Sequence, residues 1–293
     1  MPELPDITVY VEALQTRLVD HTFEKLRLAN PFFLRTVSPT PTEAAVRKVL
    51  SVRRLGKRIV FELEEEIFIV VHLMIAGRLK WLARGAKVPM SSGLAALDFD
   101  NGTVLVTEAG SKRRASVHIL RGEAALRAHD PGGIEPLEVS LEEFGAALTR
   151  QRHTLKRSLT DPHIFSGIGN AYSDEILHRA RLSPVQLSTN LSEQEIARLY
   201  DAMREVLIEW IERLHEQAKG QFPAKVTAFR PEMAVHGKYD QPCPVCQTPV
   251  QRIVYADNET NYCPRCQTGG KLLADRALSR LLHSDWPKTI DDL

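Results

Sequence analysis

Four cysteines, arranged as Cys243-x-x-Cys246 and Cys263-x-x-Cys266 with 16 residues between the pairs, constrain this chain more tightly than any other feature. Two such knuckles brought together make a tetrahedral four-thiolate site, so the stretch between them must double back as a short β-hairpin. A closed site of this kind folds its own segment and leaves no open position for catalysis. One structural Zn2+ is therefore expected. Two disulfides are the competing reading, disfavoured because no basic, apolar leader opens the chain and a reducing cytoplasm is the expected compartment. A zinc ribbon serves many purposes, and this one alone does not name a ligand.

The remaining length allows more than a finger. At 293 residues there is room for two domains and a sizeable core, and 43% apolar with 26% charged residues is ordinary for a soluble globular protein. The longest apolar run, 67–77, is interrupted by His72 and is too short for a bilayer, so no membrane partner is expected. A net charge of +1 does not announce a nucleic-acid binder. Its distribution is more suggestive: Arg53, Arg54, Lys57 and Arg58 cluster, as do Lys112, Arg113 and Arg114, then Arg150, Arg152, Lys156 and Arg157. Solvated faces are the plain alternative for each.

Periodicity divides the chain. Ile7, Tyr10, Val11, Leu14 and Leu18 recur at helical spacing behind Pro5 and Asp6, predicting a helix over 5–18. From about 23 to 120 the pattern is that of strands, with Ile59, Phe61 and Leu63 alternating before a turn at 64–66 and Asn101-Gly102 marking a hairpin. Asp130-Pro131-Gly132-Gly133 ends this region. Beyond it the chain reads as helices, two of them opened by capping boxes, Ser140 with Glu143 and Ser192 with Glu195. Ile196, Leu199, Met203, Leu207, Trp210, Ile211 and Leu214 form one apolar stripe on the longest, which is core. Between those helices, Ser166-Gly167-Ile168-Gly169-Asn170 precedes a helical pattern over 171–181; it suits a phosphate group, or is a plain loop with an asparagine cap.

The chain begins Pro2-Glu3-Leu4-Pro5-Asp6 after the initiator Met1. If Met1 is trimmed, Pro2 presents a secondary α-amine, a group whose reference pKa of about 7.7 to 8.0 leaves much of it unprotonated near neutrality. Such an amine can attack a sugar C1′ and form a Schiff base, with Glu3 as the proton donor. An ordinary Met-Pro start is the plain reading.

Taken together, Pro2-Glu3-Leu4-Pro5, Gly56-Lys57-Arg58, His72-Leu73-Met74 with Gly77-Arg78-Leu79, Gly167-Ile168-Gly169-Asn170 with Glu175, and the final Cys-Pro-Arg-Cys-Gln resemble the formamidopyrimidine-DNA glycosylase and endonuclease VIII family over 2–267. The resemblance implies an α+β multidomain fold: an N-terminal β-sandwich with an anchoring helix over 2–130, a helix-two-turns-helix domain over 131–235, a four-cysteine zinc finger over 236–268 and a C-terminal extension over 269–293. It implies a bacterial, nucleoid-associated, monomeric base-excision-repair enzyme acting on double-stranded DNA with damaged bases or abasic sites. Pro2 would be the nucleophile and Glu3 the acid, giving glycosylase action followed by β,δ-elimination. Lys57 would contact the lesion phosphate, and His72, Lys156 and Asn170 would be further DNA contacts. Met74 would be the wedge that fills the gap of a flipped base, with Arg113 or Arg114 facing the orphaned partner.

Departures from the family pattern temper this picture. Asp6 stands where the family often has Glu, Ala115 follows the arginine pair in place of an intercalating phenylalanine, Asn258 replaces a phosphate-gripping arginine, and 220–235 looks short for a lesion-capping loop. Ala115 and Asn258 favour a non-catalytic damaged-DNA-binding protein as the alternative. Leu272, Leu273, Leu278, Leu281, Leu282 and Trp286 suggest a short amphipathic helix packed on the body.

Overall fold

Alternating strands of branched and aromatic residues need a second layer to bury their apolar face, and the chain supplies it from the same sheet. The computed structural model describes residues 1–110, 112–223, 226–227, 230–255, 258–274 and 287–292, with backbone alone at 255, 258 and 292. Two compact units emerge: Met1–Pro131 with Trp210–Ala228, and Gly132–Glu209 with Phe229–Leu293. The division assigns 210–228 to the first unit, where the periodic pattern alone would continue the second.

The first unit opens with α1 (Leu4–Leu18), followed by β1 (Thr22–Leu28), a single turn α2 (Pro41–Ala44), β2 (Arg47–Leu55), β3 (Arg58–Leu63), β4 (Ile67–His72), β5 (Gly77–Leu82), β6 (Gly93–Phe99), β7 (Gly102–Glu108), β8 (Ser116–Arg121) and α3 (Glu123–Arg127). All strand pairs are antiparallel, in the order β5-β7-β6-β1-β2-β3-β4-β8. Between β1 and β2 the pairing is brief, Thr22 with Lys48 and Phe23 with Arg47, and there the sheet folds over. Phe61 of β3 consequently lies 6.3 Å from Phe99 of β6, although two strands separate them in the hydrogen-bonded order. The result is the expected sandwich. Its core takes Ile59, Phe61, Leu63, Ile69, Val71, Leu97, Val104, Val106 and Ile119 from the strands and Ile7, Tyr10, Leu14 and Leu18 from α1. That packing holds the start of the chain still.

The second unit contains α4 (Leu141–Thr149), α5 (Leu155–Thr160), α6 (Asn170–Arg179), most of α7 (Glu193–Ala218), the hairpin of β9 (Gln251–Tyr255) and β10 (Asn258–Tyr262), and α8 (Pro264–Thr268). Both anticipated capping boxes form: Ser140 Oγ accepts from Glu143 N while Glu143 accepts from Ser140 N, and Ser192 and Glu195 repeat the exchange. Along α7, Leu199, Met203, Leu207, Trp210 and Leu214 are buried, as the stripe requires. Its last turns belong to the first unit, where His215 pairs with Glu12. Among the described residues no helix is long and apolar enough to cross a membrane. The proposed tail helix, with Leu278, Leu281, Leu282 and Trp286, lies outside the described residues, as does the side chain of Asn258. At the ends of that tail, Leu272 N donates to Lys288 O and Ile290 N to Gly270 O.

Candidate DNA-processing site

Pro2 is buried immediately before α1, and Glu3 takes the position that caps it. A helix N-terminus exposes unpaired N–H groups and the positive end of the backbone dipole, which favours carboxylates there. Asp6 answers from the first turn by accepting the Glu3 N–H at 3.0 Å. Glu3 is 2% exposed and Asp6 1%. The shorter acid at position 6 thus serves to hold the backbone of Glu3. Burial pulls the Met1 amine below its usual 8.0; Glu3 and Asp6 oppose that shift, and Arg78 and Lys57 add to it. These four charged groups therefore surround the amino end, and Arg78 is a neighbour that motif reading left without a role.

Lys57 stands in the two-residue turn Gly56-Lys57 that joins β2 to β3, where Leu55 pairs with Arg58. His72 ends β4, directly between Arg58 of β3 and Ser116 of β8. Burial, then Arg58, Lys57 and His118, hold its imidazole down at about 4, so it is neutral at physiological pH. A neutral imidazole can donate an N–H but brings no charge.

Two neighbouring loops carry Met74 and the Arg113–Ala115 segment. Met74 adopts φ 52° and is only partly exposed, whereas Ile75 beside it is 58% exposed at the tip of the β4–β5 turn. Gly77 closes this turn, since a Cβ there would meet Leu73 O at 2.2 Å. Of the two side chains Ile75 is the more exposed. Between β7 and β8, Arg114 is exposed, while Arg113 is partly buried and donates to Ser91 O. Ala115 does not mark an empty wedge position at the surface. It is 3% exposed inside the core, and its N–H donates to the buried Glu108 carboxylate at 2.9 Å.

In the second unit, Gly167 takes φ 81° and Gly169 caps α6, so Asn170 is the first helical residue and not the cap. Asn170 Nδ2 donates to Glu259 O on β10 at 2.8 Å. Lys156 is likewise engaged internally: its Nζ lies 2.6 Å from Asp174 Oδ1 and 2.6 Å from Asn170 O. Because Asp174 is fully buried, the lysine charge is committed to it. Lys156 thereby fixes the start of α6. Glu175, quoted above only as part of a motif, accepts from the backbone N–H of Ala234, Val235 and His236 at 2.7, 2.9 and 2.9 Å.

The cysteine Sγ atoms lie within 4.8 Å of one another, with Cys246 3.4 Å from Cys263 and 3.5 Å from Cys266, and Cys243 4.0 Å from Cys266. A tetrahedron with zinc–sulfur bonds of about 2.3 Å has edges of about 3.8 Å, so the four thiolates fit one Zn2+. Glu259 and its neighbours put the hairpin of this finger beside Asn170.

Residues 1–116 match the formamidopyrimidine-DNA glycosylase N-terminal domain, 133–220 the formamidopyrimidine-DNA glycosylase H2TH domain, and 240–269 a zinc finger found in FPG and IleRS. A formamidopyrimidine-DNA glycosylase of Solibacter usitatus is 32% identical over 271 residues, covering 91% of this chain and 99% of that protein. The crystal structure of the MutM (FPG) protein from Thermus thermophilus superposes with a TM-score of 0.75 at 31% identity, over 91% of this chain and 98% of that one. A Lactococcus lactis Fpg in complex with an abasic site containing DNA gives 0.79 at 22% identity, over 91% and 99%, a likeness of fold.

Proposed function

The chain belongs to the formamidopyrimidine-DNA glycosylase family, and we propose that it removes oxidised or ring-opened bases from DNA and then cleaves the abasic site by β,δ-elimination. Removal of Met1 frees the Pro2 nitrogen. Its lone pair attacks C1′ as the bond from C1′ to the base breaks, the base leaving with a proton. Glu3 protonates the ring oxygen, the sugar opens, and an iminium joins C1′ to Pro2. Loss of a proton from C2′ expels the 3′ phosphate, a second elimination expels the 5′ phosphate, and water releases the sugar fragment. Splitting the reaction this way replaces one high barrier with several lower ones.

The observation that carries this reading is the amino end itself: Pro2 and Glu3 are buried at the start of α1, where burial first, then Arg78 and Lys57, lower the pKa of the Met1 amine that precedes them. Lys57 and neutral His72 then suit the phosphate of the lesion, and Asn170 with the Gly167–Gly169 backbone suits another. Such contacts position the duplex without reading its sequence. Ile75 is the wedge, and Arg114, the exposed member of its pair, faces the orphaned base.

Intact mass first establishes whether Met1 is gone. The mature protein is then incubated with DNA carrying an abasic site in the presence of borohydride, which reduces the iminium to a stable link. A trapped protein–DNA band is expected, strongly weakened by Pro2→Gly. Glu3→Gln should spare trapping on abasic DNA more than it spares excision of an intact damaged base. No trapped band from protein lacking Met1, or retention of Met1 in preparations that bind damaged DNA without cleaving it, leaves the non-catalytic binding protein as the correct reading.

A further inference from the structure

Helix α6 carries Asn170, Asp174 and His178 at intervals of four, hence on one face. Each makes a polar contact with the segment that builds the zinc finger. Asn170 donates to Glu259 O at 2.8 Å, Asp174 Oδ2 lies 2.8 Å from His236 Nδ1, and His178 Nε2 lies 3.3 Å from Cys243 Sγ. Glu175 adds its three backbone amides at 234–236. His178 and Cys243 are both buried, so water does not compete for the contact. One short helix therefore runs from a zinc thiolate at its C-terminal end to the glycine loop at its N-terminal end, and every turn on that face is tied down.

We propose that His178 donates an N–H to the zinc-bound thiolate of Cys243, and that α6 couples metal occupancy to the placement of Asn170 and the 166–169 loop. A metal-bound thiolate keeps negative charge and unshared pairs, and a buried donor aimed at it lowers the energy of those pairs and orients the ligand. Outer partners of this kind are typically worth 10- to 100-fold in metal affinity. Rigid contacts at positions 170, 174 and 178 then transmit any loosening of Cys243 along about 12 Å of helix, at 1.5 Å per residue. His178 is a positioning residue and touches no substrate.

The test uses the full chain loaded with zinc, comparing the parent with His178→Phe, which keeps a planar ring without the donor, and His178→Gln, which restores an N–H. Zinc affinity is read by competition with a chromophoric chelator. Cobalt(II)-substituted samples report the thiolate-to-metal charge-transfer bands. Hydrogen exchange of 166–171 reports the loop. His178→Phe should bind zinc 10- to 100-fold more weakly, shift the charge-transfer band to lower energy because the thiolate pairs are no longer stabilised, and speed exchange across 166–171; His178→Gln should recover much of each. If His178→Phe fails to fold, His178→Gln against the parent decides, by a smaller shift of the same sign. Unchanged metal affinity and unchanged bands overturn the donor assignment. Weakened metal binding with unchanged exchange overturns the coupling. None of these readouts involves DNA, so their failure is distinct from failure of the glycosylase reading.

Discussion

A single methyl group decides how position 115 should be read. The Ala115 side chain points into the sandwich core, and its amide is held by the buried Glu108 carboxylate. Introducing a phenyl ring there does not restore a surface wedge; it overpacks a filled interior, at a cost of about 1–3 kcal/mol. Ala115→Phe is therefore expected to lower the thermal midpoint without raising activity on duplex DNA. With Ile75, 58% exposed, as the proposed wedge, Ile75→Ala should leave the thermal midpoint nearly unchanged and slow cleavage of duplex substrates more than of single strands. Only a duplex leaves a gap opposite the flipped base. Thermal melts with single-turnover cleavage of matched duplex and single-stranded oligonucleotides check both variants. A gain of duplex activity in Ala115→Phe would return the wedge to the loop after Arg114.

At the scale of elements, the ends of β3, β4 and β8 gather histidines and cations that act on one another. His72 faces Arg58, Lys57 and His118, while His118 faces His129, Arg58 and Arg35, with the His118 and His129 rings 4.7 Å apart. Burial first, and these cations second, hold both His72 and His118 at about 4 against an ordinary 6.5. Between those values the unfolded chain binds more protons than the folded one. Stability contributed by the neutral imidazoles is thus complete above about pH 6.5 and is lost as pH falls toward 4. His118→Gln should flatten the decline of the urea midpoint between pH 7 and pH 4.5; an unchanged slope refutes this account. The strands that carry the cluster were legible because alternation in Ile59, Phe61 and Leu63 and the Asn101-Gly102 turn are local signals. So were α1, both capping boxes and the zinc ligands. The contacts of α6 were not, although the spacing of Asn170, Asp174 and His178 was in plain view. Their partners at 236, 243 and 259 lie more than 60 residues away, and periodicity says which residues share a face but not what that face meets. The ion pair of Lys156 was hidden for the same reason, since its carboxylate comes from another helix.

For the molecule as a whole, flipping a base costs a few kcal/mol of stacking and pairing, which the protein must offset with wedge, phosphate and pocket contacts. With Ile75 as the proposed wedge, Ala115 adds no apolar surface for insertion, because it is interior. The charge of Lys156 is paired with the buried Asp174, which leaves less of it for a phosphate. Less gain on insertion favours bases that are already loosely held. Oxidised pyrimidines, ring-opened purines, abasic sites and lesions in bubbles or single strands should therefore be processed faster than 8-oxoguanine paired with cytosine, whose stacked, well-paired geometry demands the most from the wedge. The comparison is single-turnover cleavage of each lesion in both contexts at one salt concentration, since released counterions make affinity fall steeply with salt. Repeating it at two salt concentrations separates binding from insertion: weaker phosphate contact lowers all substrates together, whereas a poor wedge lowers the well-paired duplex lesion selectively at saturating enzyme. A clear preference for 8-oxoguanine opposite cytosine, persisting at saturation, would mean that the lesion is stabilised outside the helix by pocket contacts strong enough to make the wedge unimportant.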